Sequence, residues 1–248
     1  MSNRIPGNWI TNFRRLGFWL ERGFLSPEEV QRINRLGAML LAEREEKWRI
    51  VDPHRGEPAF LPYYRHPKLI ARMKEIFGEL PVGIQTMYYV KAPQSPGHSW
   101  HQDQFYIPGD PQPVMAAWCA LDKVDEANGA LMVFPGTHTG PILPMVPCDD
   151  PRFAHHRQAV QPPAGAQPLA VCMQPGDVLF FHGCLIHGAL PNTTTDRHRR
   201  AWICHYLAEH STGQVRGQPN RELTSMRGGE TLPPTTPSGP DRITTYDA

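Results

Sequence analysis

The sequence between residues 82 and 207 is divided into short blocks rich in β-branched and aromatic residues, and glycine, proline, asparagine or aspartate bounds the blocks. Such blocks predict short strands joined by turns, and several of them in series indicate a sandwich or jelly roll. Proline, at 27 of 248 residues, is about twice as frequent as usual and disfavours a helical bundle. The blocks are 82–90, 99–107, 114–123, 129–134, 169–173, 177–182 and 199–207.

Two helices are predicted before this strand-rich region. Residues 26–48 carry apolar residues at near-helical spacing, behind Ser26 as the N-cap, Pro27 in the first turn and Glu29 at the capping-box position. A second apolar stripe covers 67–77 and stops at a glycine. The sequence therefore predicts a mostly β fold with flanking helices.

One domain is expected over residues 1–210, with its strand core at about 81–210. After residue 210 the chain has almost no large apolar residues, which predicts a mostly irregular tail over 211–248. Within the domain, residues 141–168 contain seven prolines and few aliphatic residues. Long loops of this kind are often functional, so this segment is predicted to lie over the mouth of the barrel as a lid.

The net charge indicates which partners the chain can bind, and the cysteine content indicates its compartment. With 25 Lys+Arg against 24 Asp+Glu, the net charge of +1 offers no field suited to a polyanion, so no nucleic-acid partner is expected. The five cysteines include no CxxC pair and mostly sit in apolar runs, which is typical of thiols in a reducing compartment. The longest apolar run, 114–121, is far shorter than a membrane span. We expect a cytoplasmic protein with no membrane partner.

Two segments combine residue types that bind metal ions. One residue separates His101 from Asp103, and residues i and i+2 of a strand point to the same face, so both side chains can converge on one ion. His187 follows an apolar strand, and it completes the two-histidine, one-carboxylate set that non-haem Fe(II) oxygenases use. A closed zinc site would need four protein ligands, usually with cysteine. His182 and His205 are alternative candidates for the second histidine ligand, and His187 ranks above both.

With this HxD, a distal histidine and an arginine a dozen residues later, the sequence resembles the phytanoyl-CoA dioxygenase family of Fe(II)/2-oxoglutarate-dependent oxygenases. The resemblance runs from about Gln85 to Tyr206, through MYYVKAPQSPGHSWHQD, AAWCALDKVDEANGALMVFPGTHTGP, GDVLFFHGCLIHGALPN and RRAWICHY. It implies a double-stranded β-helix, a jelly roll with helices packed on one sheet. It also implies Fe(II) bound by His101, Asp103 and His187.

The resemblance further implies an arginine that binds the far carboxylate of 2-oxoglutarate, since a guanidinium offers bidentate, charge-assisted hydrogen bonds. Arg199 matches the family arginine by the residues that follow it. It lies twelve residues after His187, where the family usually has eleven, so Arg200 stays the alternative. In the third interpretation, both arginines are surface charges at the start of a strand.

Other co-substrate contacts are implied by the same resemblance. Gln85, Met87 and Trp118 match family positions that contact 2-oxoglutarate, and a role in the core or on the strand surface is an equal alternative for each. Ala189 stands where the family often has a serine two residues after the distal histidine. The candidates to replace that hydroxyl are Thr195 and Tyr89.

The function implied is a dioxygenase that uses dioxygen and 2-oxoglutarate to hydroxylate, or otherwise oxidise, a small-molecule substrate, with release of succinate and CO2. A halogenase of this fold needs a small residue in place of the ligand carboxylate, and Asp103 argues against it. The alternative from another class is a non-catalytic or cupin-like jelly-roll protein that binds a divalent metal. Because Arg152 and Arg157 are too few to hold the phosphates of coenzyme A, a free small molecule is favoured as the substrate.

Overall fold

The computed structural model of the chain describes residues 8–153, 158–218, 221–227 and 231–232. Its α-helices are Trp9–Leu16 (α1), Pro27–Ala42 (α2), Pro53–Gly56 (α3), Leu61–Tyr64 (α4), Pro67–Phe77 (α5) and Asp103–Tyr106 (α6). Its strands are Phe18–Glu21 (β1), Arg49–Val51 (β2), Pro81–Lys91 (β3), His98–His101 (β4), Gly109–Asp110 (β5), Met115–Ala120 (β6), Leu131–Val133 (β7), Val146–Pro147 (β8), Gln158–Ala159 (β9), Leu169–Val171 (β10), Val178–His182 (β11), His187–Ala189 (β12), Arg199–Ala208 (β13), Thr212–Gly213 (β14), Leu223–Ser225 (β15) and Thr231–Leu232 (β16).

Two antiparallel sheets form the core of the fold. The large sheet has the order β1-β11-β6-β13-β3-β15-β16, with β2 also paired to β3, and the small sheet has the order β10-β7-β12-β4. Inward apolar side chains from both sheets pack together, among them Trp118 and Phe181 of the large sheet and Leu131 of the small one. Helices pack on the other face of the large sheet, against side chains such as Trp202 and Phe180. The predicted jelly roll with flanking helices is confirmed.

Helix α2 begins as its sequence predicts and ends six residues early. Ser26 and Glu29 form the capping box, with Pro27 at the first helical position. The helix ends at Ala42 instead of residue 48, because the acidic residues that follow bury no apolar surface and are unfavourable at the negative end of a helix dipole. Lys47 turns back and donates hydrogen bonds to the carbonyls of Leu41 and Ala42, which completes this end. Helix α5 has its predicted bounds.

The chain after residue 210 contains more sheet structure than its composition predicts. Strand β15 pairs with β3 through Thr224 and Ser225, and Leu223 is buried in a small apolar cluster. Backbone hydrogen bonds to the edge of β3 hold this strand, and amino-acid composition does not predict such bonds. Residues 219–220, 228–230 and 233–248 of the predicted tail lie outside the described part.

The predicted lid is wrong for the described residues of 141–168. Phe153 is buried against the ring of Trp100, with ring centroids 5.1 Å apart, and Val160 is buried beside Phe134 and Ile186. These contacts lie on the face of the small sheet opposite to His101, and no described residue of the segment lines the central cavity. Apolar side chains inside the proline-rich segment thus attach it to the outer face of the sheet. Residues 154–157 lie outside the described residues.

No helix of the described chain is long and apolar enough to cross a membrane.

Candidate metal and co-substrate site

His101 and His187 are brought together by strand pairing in the small sheet. His101 is the last residue of β4 and His187 the first of β12, and the two are direct partners across the antiparallel pair. Direct partners point to the same face, so the two rings lie 4.2 Å apart between centroids, inside the barrel.

Asp103 faces the two imidazoles from the start of a helix and not from the predicted strand. The block 99–107 is not a single strand, because β4 ends at His101 and Asp103 begins the short helix α6. The carboxylate nevertheless faces both histidines, with Oδ1 3.5 Å from Nε2 of His101 and 3.6 Å from Nε2 of His187. Within the described residues these three form the one group of three or more ligand-type side chains whose donor atoms lie within 4.8 Å of one another.

Backbone hydrogen bonds prepare both imidazoles to bind a cation. Nδ1 of His101 lies 2.8 Å from the carbonyl of Ser99, and Nδ1 of His187 lies 2.9 Å from that of Leu185. A carbonyl accepts only, so each Nδ1 carries the proton and each Nε2 presents a lone pair to the centre. Burial, with the nearby His101, lowers the pKa of His187 to about 4, which keeps it neutral at pH 7.

The charge state of Asp103 also suits a cation. Burial alone would raise its pKa, but the surrounding imidazoles of His187, His101 and His205 outweigh burial and hold the pKa well below its ordinary value. The carboxylate is therefore ionised at neutral pH, and two imidazole nitrogens and one negative oxygen converge on one point. This donor set fits a divalent metal ion with open coordination positions.

The two competing histidines take other positions. His205, on β13, faces the cavity, and its Nε2 lies 3.2 Å from Oδ2 of Asp103, the oxygen turned away from the other two imidazoles. His182 lies near His138, with ring centroids 5.2 Å apart, and its Nδ1 accepts a hydrogen bond from the backbone of Cys184. His205 thus contacts the carboxylate, and His182 is outside the cavity lining.

The far side of the cavity holds an arginine that has no acid partner among the described residues. Arg199 is 2% exposed and lies between the rings of Tyr89 and Trp118, at 5.4 and 5.1 Å from their centroids. It forms no ion pair with any described residue, its Nε has no hydrogen-bond partner there, and burial lowers its pKa to about 10. Arg200 points to the opposite face and pairs with Asp122 at 2.6 Å. The register therefore puts Arg199 in the cavity.

Lys91 is a second buried basic residue, to which the sequence analysis gave no role. It is the direct strand partner of Arg199, is 3% exposed, and donates a hydrogen bond to the carbonyl of Pro96. Burial, with the charge of Arg199, lowers its pKa to about 6. The available signal was the alternation of residues on β3, which puts Lys91 on the same face as Met87 and Tyr89.

The other predicted contacts separate into those that line the cavity and those that do not. Met87, Trp118 and Ala189 line it, and so does Tyr89, a candidate to replace the missing serine. Thr195 is exposed, which argues against its role as a replacement for the serine. Gln85 is not among the residues that line the cavity, and its contact with 2-oxoglutarate stays a prediction. Further lining residues, which the prediction did not include, are His98, Leu131, Phe181, Gly188 and Ile203.

Comparisons with known proteins agree with this geometry. Residues 13–201 match the phytanoyl-CoA dioxygenase (PhyH) family. A probable phytanoyl-CoA dioxygenase of Caenorhabditis elegans is 33% identical over 165 residues, which are 60% of this chain and 51% of that protein. The peroxisomal phytanoyl-CoA dioxygenase of Rattus norvegicus is 33% identical over 170 residues, which are 64% of this chain and 48% of that protein. The chain thus spans about half the length of these relatives.

A solved structure has the same fold at lower sequence identity. The epimerase SnoN, in complex with Fe3+, α-ketoglutarate and nogalamycin RO, superposes with a TM-score of 0.74 at 21% identity, covering 94% of this chain and 95% of that one. The family match covers most of the chain and includes all three residues of the metal triad. The chain therefore belongs to the phytanoyl-CoA dioxygenase (PhyH) family.

Proposed function

We propose that this protein is an Fe(II)- and 2-oxoglutarate-dependent dioxygenase that hydroxylates, or otherwise oxidises, a small-molecule substrate with release of succinate and CO2. One observation carries the proposal. A single cavity is lined both by the triad of His101, Asp103 and His187 and by Arg199, a buried guanidinium with no acid partner in the described chain.

The triad suits Fe(II). Three protein ligands on one side of an ion leave adjacent positions free for a bidentate co-substrate and for dioxygen. The backbone carbonyls that hold the Nδ1 protons orient both imidazoles before the ion binds. When bound, iron supplies the activation of dioxygen, coupled to oxidative decarboxylation of 2-oxoglutarate, that inserts one oxygen atom into a substrate C–H bond.

The far side of the cavity suits the distal carboxylate of 2-oxoglutarate. A buried charge is costly unless it is paired, and the Arg199 guanidinium, with Lys91 as its strand partner, is buried without an acid among the residues described. A carboxylate there would pair with the guanidinium through two parallel hydrogen bonds. Trp118 and Tyr89 flank Arg199 with aromatic rings, which exclude water and strengthen the pairing.

The first experiment separates an oxygenase from a metal-binding jelly-roll protein. Anaerobic addition of Fe(II) and 2-oxoglutarate is expected to give a visible metal-to-ligand charge-transfer band. Asp103→Ala is expected to lose the band because it loses the metal. Arg199→Gln should show the band only at a much higher concentration of 2-oxoglutarate. Admission of oxygen should then release succinate. Bound iron without the band at any 2-oxoglutarate concentration would contradict the proposal and favour the cupin-like alternative.

A further inference from the structure

An exposed arginine outside the cavity lining is attached to the short helix that begins with Asp103. Arg216 belongs to the turn Val215–Gln218, whose ends are joined by a backbone hydrogen bond of 2.9 Å and whose Gly217 has a φ of +76°. Val215 anchors this turn in an apolar cluster with Ile107 and Leu207. The backbone of Arg216 donates a hydrogen bond of 2.9 Å to the carbonyl of Tyr106, so the turn is attached to helix α6, which begins with Asp103.

Part of the Arg216 guanidinium has contacts within the described chain, and its terminal nitrogens are available to a ligand. Its guanidinium lies over the ring of Phe105, 4.3 Å from the centroid, and Nε donates to the carbonyl of the same residue. These contacts fix the plane of the group and leave the terminal nitrogens, which carry four of its five N–H donors, for another partner. Within the described part of the chain, Arg216 forms no ion pair.

Tyr106 connects this guanidinium to the metal triad. Its ring meets that of His101 edge to face, with centroids 6.0 Å apart, and the side chain is 39% exposed. Arg216 is hydrogen-bonded to the backbone of Tyr106, and the ring of Tyr106 contacts His101, so one residue separates Arg216 from the triad.

We propose that the substrate carries a carboxylate, which the terminal nitrogens of Arg216 bind with the hydroxyl of Tyr106, so that a nearby carbon of the substrate lies at the metal site. This assignment rests on the proposed oxygenase function and names the substrate class. A planar guanidinium offers two parallel hydrogen bonds, which match one carboxylate. The buried Arg199 is separate from this position and remains available to 2-oxoglutarate.

The test compares acids with uncharged molecules of the same shape. Straight-chain acids from hexanoate to dodecanoate and their primary amides are titrated calorimetrically, without oxygen, into the Fe(II) protein saturated with 2-oxoglutarate, so that the Arg199 end is occupied. At least one acid is expected to bind about fivefold more tightly than its amide, since an exposed charge-assisted pair contributes up to about that factor. Arg216→Gln should lose this preference and leave amide affinity unchanged, and Arg216→Lys should keep part of it.

Arg227→Gln is the matched control, because Arg227 lies on the same terminal segment and pairs on the surface with Glu209. It should keep the full preference for acids. Equal affinity for every acid and its amide, or an unchanged preference in Arg216→Gln, overturns the proposal. A coenzyme A thioester that binds more tightly than the free acid and loses affinity in Arg216→Gln also overturns it, in favour of phosphate. The charge-transfer band of each variant separates these results from failure of the oxygenase assignment.

Discussion

His205 and Asp103 are joined across the cavity by a hydrogen bond of 3.2 Å between Nε2 and Oδ2. The other carboxylate oxygen, Oδ1, is the one that faces the imidazoles of His101 and His187. The two oxygens of one side chain thus have separate partners, and His205 sets which oxygen is presented to the metal position. His205 is a positioning residue in this arrangement.

Replacing His205 with alanine should weaken iron binding without removing the site. The three ligand-type side chains remain, so stoichiometry at saturation should stay near one, while affinity should fall by about 10- to 100-fold, as for other outer-shell partners of metal ligands. Competition with a chelator measures this change. His210→Ala serves as the control, because that side chain is 83% exposed and pairs with Glu79 at the surface. Unchanged affinity in His205→Ala would contradict the positioning role.

Iron stoichiometry tests the ligand assignment itself. His101→Ala and His187→Ala should each bind far less than one iron per chain, because removal of one of three ligands leaves a site with too few donors. His182→Ala should bind as much iron as the unmodified protein, since His182 does not line the cavity. Metal analysis after gel filtration is the measurement. If His182→Ala loses iron while His187→Ala keeps it, the distal ligand is assigned to the wrong histidine.

The two neighbouring arginines should differ strongly in their effect on 2-oxoglutarate. Arg199→Gln removes one side of a buried charge pair, which costs about 3–5 kcal/mol and raises the dissociation constant by roughly two to four orders of magnitude. Arg200→Gln removes a partly exposed pair with Asp122, which costs at most about 1 kcal/mol of stability and leaves 2-oxoglutarate affinity nearly unchanged. Titration through the charge-transfer band gives both constants. The reverse order would show that the register of β13 is shifted by one residue.

Binding of 2-oxoglutarate should be accompanied by proton uptake at pH 7 to 8. Lys91 has a pKa of about 6 in the free protein, against 10.5 for the ordinary side chain, so its amine is mostly neutral in this range. A carboxylate bound beside Arg199 favours the protonated form and raises this pKa. Calorimetry in buffers of different ionisation enthalpy measures the uptake, which Lys91→Met should abolish. Equal uptake in Lys91→Met would assign the proton to another group.

The same lowered pKa makes Lys91 unfavourable to folding. Between about pH 6 and 10.5 the unfolded chain holds more protons at this residue than the folded one, so its cost to stability grows as pH falls through that window. Lys91→Met should therefore gain stability relative to the unmodified protein as pH falls from 10 to 7. Urea denaturation at both pH values measures this change, and a difference that does not vary with pH would contradict it.

Gly37 on helix α2 should not tolerate even a methyl group. A Cβ atom there would lie 2.3 Å from the ring of Tyr88, which is 1% exposed. Overpacking of this kind costs about 1–3 kcal/mol, more than the gain of about 1 kcal/mol in helix propensity. Gly37→Ala should thus unfold at lower urea, whereas Gly56→Ala, with no atom within 4 Å of its Cβ, should not. Equal midpoints for Gly37→Ala and the unmodified protein would show that Tyr88 moves freely.

The sequence by itself determined the features that depend on neighbouring residues. Alternation and turn residues predicted the strands of the jelly roll, and the caps at Ser26 and Gly78 marked two helix ends correctly. The residues of the metal triad were identified from donor type and from resemblance, because both are local properties of short motifs. The strand spacing assumed for His101 and Asp103 was wrong, yet the two side chains still converge.

Tertiary structure alone decided what depends on long-range pairing. The antiparallel pairing of β13 with β3 settled that Arg199 faces the cavity and buried Lys91 beside it, since a shift of one residue reverses every side chain of a strand. Similarly, His205 meets Asp103 from a strand 102 positions away in sequence. Strand β15 and the turn of Arg216 are held by backbone contacts and one or two buried side chains. Composition and periodicity do not predict such contacts, because the stabilising partners are distant in the chain.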